Sequence, residues 1–485
     1  MRYPCLVLLI LASFLSACAV NPATGQRDFV LMSELDELAL GRDYSQQVMK
    51  QYRVYDNPAL QQYIQSVGER VARVSHRNTL VYRFTLLDST EVNAFALPGG
   101  YIYITRGLLA YLNSEAELAA VLGHELGHIT ARHSVRQHSM STTATVLGSL
   151  VSAASGIQQL GQVSHLLATG IVRGYGREHE LEADGLAVGY LLKAGYPASA
   201  MRAVISTLKN QQLFDQQLAV EQGHKPRAYH GLFSTHPDND TRLQQVLNQA
   251  GSKRSQTMIR PRQDKAFLRR LEGLSFADSE QDGVIKGRNF YHSDLKFKLS
   301  FPNAWLIHNK PNAIKATPSE QGAFIQLSME SLNKALTPRQ LIRQRLAQTP
   351  ILSEMSISDG DYLGHTVVFK GRTPYGQTKV RVAVIYDQTR AFVFYATAKK
   401  LTDFKHFDVL FLKTIRSLSK LKRADRARAK PLVLGLVRAE SGRKQFARLV
   451  ESSPIADHAE ENLRLLNDIF PTGKLKSGDL IKIVR

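Results

Sequence analysis

Two histidines four residues apart, with a glutamate beside the first, can hold and use a metal ion if a helix carries them. His124-Glu125-Leu126-Gly127-His128 has that spacing. At about 100° per residue, positions 124 and 128 fall one turn apart on nearly the same face. Both imidazoles then reach one ion at about 2.0–2.1 Å. Glu125 lies next to this face. Its carboxylate can take the proton of a water whose pKa zinc lowers to about 7, and the chemistry this serves is hydrolysis of a peptide bond. The helix itself is legible. Ser114 followed by Glu117 is a capping-box signature, and Leu118, Val121, Leu122 and Ile129 supply an apolar stripe. The same arithmetic carries His133 about 140° away from His128, so it reads as a surface histidine.

A catalytic site needs a third ligand. Downstream, residues 175–184 are acidic and continue as a helix through Leu186, Ala187, Tyr190 and Leu191, stopping at Gly195 with Pro197 just beyond. Glu178, Glu180 and Glu182 compete for the role. Glu180 and Asp184 share a face, whereas Glu182 points to roughly the opposite side. Glu180 is the predicted ligand. Asp184 is predicted to orient one of the histidines, and Arg177 is a further candidate to sit behind the ligands and pair with an acidic neighbour. Gly123 and Gly127 each cost a helix about 1 kcal/mol relative to alanine. Close approach of a strand or of substrate would account for them.

An HExxH helix followed by ExxAD on a second helix resembles the HtpX-like and CAAX-prenyl-protease family of gluzincin zinc metallopeptidases, and within it the periplasmic BepA/LoiP-like lipoprotein branch. The resemblance covers residues 20 to about 250 and includes Asn21 to Gln26, a sequence common at the mature start of such lipoproteins. It implies one zinc ion per chain, held by His124, His128 and Glu180, with Glu125 as the catalytic base. It implies that Asn93, Ala94 and Phe95 open an edge strand beside the catalytic helix, where an extended substrate pairs through its backbone. In that branch a histidine in a Thr-His-Pro setting lies near the metal. This puts His236, in Ser234 to Pro237, in a catalytic or capping role.

Stepping out from the site, the first residues read as a lipoprotein signal peptide over 1–17. Arg2 precedes an apolar run from Leu6 to Phe14, and Leu15-Ser16-Ala17-Cys18 resembles the bacterial lipobox. Cys18 is then the lipidation site. Ala19 in place of an acidic residue points, by resemblance to lipoprotein sorting, to the periplasmic side of the outer membrane. Of the two cysteines, Cys5 leaves with the signal, so no disulfide is expected in the mature chain. The net charge of +20, from 62 Lys and Arg against 42 Asp and Glu, invites a nucleic-acid reading. The secretion signal and the lack of any nucleic-acid-binding signature argue against it. An anionic membrane surface or unfolded acidic polypeptide suits the charge better, and a merely solvated basic surface suits it better still.

The fold class expected over 485 residues is α+β and multidomain. A mainly helical zincin-type metallopeptidase domain with a small edge-strand sheet spans 18–250, and a linker follows over 251–280. Residues 281–420 form an α+β domain, with strands such as Val380 to Tyr386 and Phe392 to Ala396, and its opening resembles PsbP/Mog-like folds. A basic linker covers 421–430. A C-terminal module over 431–485 resembles a degenerate LysM unit. Residues Met140 to Val172 read as a helical hairpin or lid near the cleft, or as a core helix. The function expected is a cell-envelope metalloendopeptidase acting on misfolded or misassembled periplasmic and outer-membrane proteins, in contact with outer-membrane assembly machinery. The alternative is an envelope chaperone or scaffold whose zinc site is closed by His236.

Overall fold

The computed structural model describes residues 18–142, 176–221, 241–242, 245, 264–279, 281–310, 313–319, 322–332, 336–358, 362–388, 390–440 and 443–485. The chain divides into two units. One comprises Met1–Phe276 with Val433–Arg485, and the other Ala277–Leu432.

The first unit opens with an antiparallel hairpin of β1 (Cys18–Val20) and β2 (Arg27–Phe29). Helix α1 (Glu34–Gln51) starts at Ser33, whose side chain accepts from Asp36 N. Helix α2 (Pro58–Ala72) starts at Asn57, with proline at its first position, and buries Leu60, Ile64, Val67 and Val71 as its helical stripe requires. A three-stranded sheet follows, in the order β3 (Arg83–Leu87), β5 (Tyr101–Thr105), β4 (Ala94–Leu97), so β4 is an edge strand antiparallel to β5. The turn between β4 and β5 uses Gly99 and Gly100 at positive φ. Helix α1 lies so close to that turn that a Cβ on Gly41 would fall 1.9 Å from Pro98 O. Short helix α3 (Arg106–Tyr111) leads into helix α4 (Glu115–Thr130), which carries His124, Glu125 and His128. Helices α5 (Arg177–Lys193) and α6 (Ser199–Glu221) pack on α4, and Gly195 at φ 85 ends the turn after α5.

The segment expected as a linker over 251–280 is a helix in part. α7 (Lys265–Leu271) is capped by Asp264 and buries Phe267, Leu268 and Leu271, and the strand β6 (Ser275–Phe276) follows it. Residues 251–263 lie outside the described ones.

In the second unit, β7 (Val284–Lys286), β8 (Asn289–His292) and β9 (Phe297–Ser300) form a small sheet completed by a later strand at 419–420. Strands β10 (Trp305–Lys310), β11 (Ala313–Pro318) and β12 (Ala323–Ser331) precede helix α8 (Pro338–Leu346). Then come β13 (Ile351–Ile357), β14 (Leu363–Thr373), β15 (Gly376–Tyr386), β16 (Arg390–Ala398), helix α9 (Phe404–Arg416) and the closing strand β17 (Ser419–Lys420). The seven-stranded antiparallel sheet runs β10-β11-β12-β16-β15-β14-β13. Alternate residues of its central strands face opposite cores. Ala383, Ile385, Phe392 and Phe394 pack with Phe404, Phe411 and Ile415 of α9, while Val367, Val384 and Ala391 pack with Leu341 and Ile342 of α8. The strand expected over Val380 to Tyr386 lies within β15, and burial on both faces accounts for its unbroken apolar stretch from Val382 to Ile385. The basic stretch 421–430 belongs to this unit. It is pinned by Asp425, which is buried and accepts from Lys298 Nζ at 3.0 Å.

Residues 431–485 were expected to stand alone, yet Val433–Arg485 groups with the first unit. Strand β18 (Leu432–Arg438) pairs with β19 (Leu480–Val484) and lies next to β6, with α10 (Arg443–Glu451) and α11 (Ala459–Leu466) between them in sequence. Lys482 explains the attachment. It is buried, and its ammonium donates to Ala110 O at 2.6 Å and Leu112 O at 2.8 Å, capping the C-terminal carbonyls of α3. A strand whose lysine points into the core reads, in one dimension, as an exposed strand.

Candidate metal centre

Helix α4 begins at Ser114, whose Oγ accepts from Glu117 N at 3.2 Å, while the Glu117 carboxylate accepts from Asn113 N at 2.7 Å. Two and a half turns later the helix is buried all round, and His124, Glu125 and His128 are 5, 0 and 1% exposed. Helix α5 brings up Glu180 and Asp184, both 0% exposed. The closeness of the two helices rests on Gly127. A Cβ there would lie 2.9 Å from Ala183 O and 3.0 Å from Ala183 Cα. The second helix, rather than a strand or substrate, accounts for this glycine. At Gly123 an added Cβ would meet only Val71 Cγ1 at 3.5 Å and Ala187 Cβ at 3.7 Å. Gly123→Ala is therefore expected to hold or raise stability, by up to about 1 kcal/mol. Gly127→Ala should lower it by about 1–3 kcal/mol and loosen metal binding, because Ala183 lies three residues from Glu180. Thermal melts of the two variants, with and without metal, check the pair.

The donor groups of the three side chains form a triangle, with the Glu180 carboxylate turning Oε2 to His124 and Oε1 to His128. His124 Nε2 and His128 Nε2 are 3.1 Å apart, and each lies 3.4 Å from an oxygen of Glu180. Ligands about 2.1 Å from one tetrahedral centre stand about 3.4 Å from each other. Two nitrogens and a carboxylate at this spacing fit a metal ion, with coordination left open beyond these three side chains. Among the described residues, His124, His128 and Glu180 are the group able to hold one.

The surroundings hold each ligand. Asp184 Oδ1 lies 2.8 Å from His124 Nδ1, so the ring presents Nε2 to the triangle. Arg242 is buried against both carboxylates. Its Nε is 2.7 Å and its Nη2 2.9 Å from Asp184, and its Nη1 is 3.3 Å from Glu180. Burial alone would raise the Asp184 carboxyl, but Arg242 and His124 outweigh it and hold it down at about 2. Burial opposes charge on His124, but Asp184 and Glu180 more than offset it and raise the imidazole to about 9. A metal entering at neutral pH therefore displaces a proton there.

Two expectations change. His133 is not on the surface. It is 0% exposed, with Nδ1 2.8 Å from His128 Nδ1 and Nε2 3.0 Å from Glu182. Helix α4 ends at Thr130 and Arg132 takes φ 54, which turns the chain back and voids the helical arithmetic beyond it. The guanidinium on Glu180 belongs to Arg242, whereas Arg177 is exposed and donates to Thr241 Oγ1 at 2.9 Å. Arg242 was missed because it lies 58 residues past Asp184, and the one signal nearby, a helix-start pattern at Asp238 to Asp240, says nothing about its partner.

Ala94 and Phe95 lie in the edge strand β4, preceded by Asn93, which is tied to Thr105. Asn93 N donates to Thr105 Oγ1 at 3.1 Å, and Thr105 N donates to Asn93 O at 3.0 Å. Cys18 opens β1. His236 and most of the stretch from Met140 to Val172 lie outside the described residues.

Residues 58–250 match the family model described as Peptidase family M48. This stretch is similar to peptidase family M48. The similarity to beta-barrel assembly-enhancing proteases agrees with the BepA-like resemblance of the paired motifs. The protein of that name from Escherichia coli K12 is 27% identical over 352 residues, covering 70% of this chain and 65% of that one. A putative one from Vibrio cholerae is 31% identical over 184 residues, covering 36% and 38%. The mitochondrial metalloendopeptidase OMA1 of Schizosaccharomyces pombe is 29% identical over 229 residues, covering 46% and 64%. The chain thus spans between 38 and 65% of the length of these relatives. Among solved structures, PsbP from the cyanobacterium Synechocystis aligns over 28% of this chain and 95% of that one, at 10% identity and a TM-score of 0.23, too low to carry an argument. Within the stretch that matches, His124, His128 and Glu180 are the residues able to hold a metal ion, and Glu125 stands on the turn between the two histidines.

Proposed function

We propose that this chain is a zinc-dependent endopeptidase of the bacterial envelope, anchored by a lipid on Cys18 to the periplasmic side of the outer membrane. Its substrates on this reading are misfolded or misassembled outer-membrane and periplasmic proteins. One observation carries the enzymatic part, two imidazole nitrogens 3.1 Å apart with the Glu180 carboxylate across them, one of its oxygens 3.4 Å from each nitrogen. Two histidines and a glutamate with an open position are a donor set used by hydrolytic zinc sites rather than by structural ones. When bound, zinc supplies the charge that polarises a peptide carbonyl and makes water acidic near neutral pH.

The remaining roles fall to the chain. His124 and His128 present neutral Nε2 atoms. Glu125 accepts the proton of the attacking water and delivers it to the leaving amine. The edge strand β4 offers backbone groups to an extended segment, a mode of binding tolerant of sequence and suited to unfolded clients. The names of the beta-barrel assembly-enhancing relatives support outer-membrane proteins as substrates and their assembly machinery as a partner. The Leu15-Ser16-Ala17-Cys18 sequence supports the anchor.

Purified without chelators, the full chain is expected to carry one zinc ion and to cleave casein. A chelator should abolish cleavage and added zinc restore it. Metal-free protein that cleaves casein just as well would sink the hydrolytic reading. Fatty-acid labelling that persists in Cys18→Ser would sink the anchor.

A further inference from the structure

His133 lies outside the triangle of metal donors, yet it is wholly buried against one corner of it. We propose that His133 is a positioning residue that fixes His128 as a ligand, and that Glu182, Arg136 and Asp28 of the N-terminal hairpin hold it in place. This rests on the metal-dependent reading above and deepens it.

The hydrogen-bond polarity follows from the groups themselves. For His128 Nε2 to face an ion, the ring proton must sit on Nδ1. That nitrogen is 2.8 Å from His133 Nδ1, so His133 Nδ1 accepts and its proton sits on Nε2. Nε2 in turn lies 3.0 Å from Glu182 Oε2, and an ionised carboxylate can only accept. The opposite polarity would set a lone pair against that carboxylate. Glu182 therefore selects the tautomer of His133, and His133 selects that of His128. His124 reaches a carboxylate directly, through Asp184 at 2.8 Å, so the two ligands are backed by different means.

The support continues outward. Arg136 Nη1 is 3.0 Å from Glu182, and its Nε is 3.4 Å from Asp28 Oδ1 in β2. Asn21 Nδ2 donates to the other Asp28 oxygen at 2.8 Å, and Leu31 N donates to Ser139 Oγ at 3.0 Å, on the same helical stretch as Arg136. The hairpin that begins at Cys18 is thereby tied, through four side chains, to a metal ligand.

Zinc affinity of the full chain, measured by competition with a chromophoric chelator, tests this. His133→Asn keeps an acceptor near the Nδ1 position and is expected to stay within about threefold of the parent. His133→Leu has no acceptor, and His133→Gln places its amide at the far end of the ring. Both should bind about 10- to 100-fold more weakly. Asp28→Asn should weaken binding by less than about tenfold. A histidine that merely fills space predicts the reverse ranking, with leucine above asparagine. That ranking, or equal affinity throughout, overturns the proposal. If the His133 variants fold poorly, Glu182→Leu, which removes the acceptor, asks the same question from the other end, where weaker binding supports the chain of contacts and parental affinity refutes it. A parent that binds no zinc is a failure of the enzymatic reading, whereas a parent that binds and variants that match it are a failure of this assignment alone.

Discussion

Glu125→Gln is expected to keep its zinc and lose its proteolysis by about 10²- to 10⁴-fold, the contribution of a placed general base. The carboxylate is 0% exposed and stands beside, rather than within, the set of donors. Glutamine keeps the shape and the hydrogen-bonding ends while removing the basicity. Ion content should therefore be unaffected, and the variant should fold at least as stably as the parent, because a buried ionisable group has become neutral. Casein hydrolysis and metal content measured on the same preparations separate the outcomes. Full activity with zinc bound would remove Glu125 from the mechanism. Lost zinc would make it a ligand.

The second large effect is expected at Arg242. Glu180 and Asp184 put two fully buried carboxylates near each other, and Arg242 lies across both. Arg242→Leu leaves Asp184 buried with only His124 to balance it, and breaking a buried pair in this way costs about 3–5 kcal/mol. The loss should be larger in metal-free protein than in the loaded form, because a bound cation takes over part of the neutralisation of Glu180. pH supplies a further check. Asp184 has its pKa depressed on folding, so its stabilisation is present above its unfolded pKa of about 3.9 and is lost as pH falls through about 2. The gap between parent and variant should accordingly close on acidification. Denaturant melts of both proteins, with and without metal, at neutral pH and near pH 3, measure all three effects. A leucine variant as stable as the parent without metal would show that the guanidinium is not needed there.

Much of the fold and of the site can be read in one dimension. The strand over Val380 to Tyr386 declares itself by composition, because a strand is a local response of the backbone to its own side chains. The catalytic helix does so too. Ser114 fixes its start, and four-residue spacing puts His124 and His128 on one face and Glu180 and Asp184 on another helix's face.

What spacing could not reach begins where the helix stops. Arg132 at φ 54 reverses the chain, and beyond it His133 sits where no periodic rule would put it. Arg242 and Lys482 were equally out of reach, since each is a charge whose partners lie tens to hundreds of residues away, at Asp184 and at the carbonyls of Ala110 and Leu112. The glycine at 127 was conspicuous in sequence, but only the approach of Ala183 showed what it makes room for.

The sequence by itself determined the candidate donors His124, His128 and Glu180 and the helices that carry them, because these depend on side-chain chemistry and local periodicity. Tertiary structure alone decided which buried charges neutralise the ligands and that the C-terminal strands complete the first unit. Burial of a charge is settled only when distant segments meet and supply its partner.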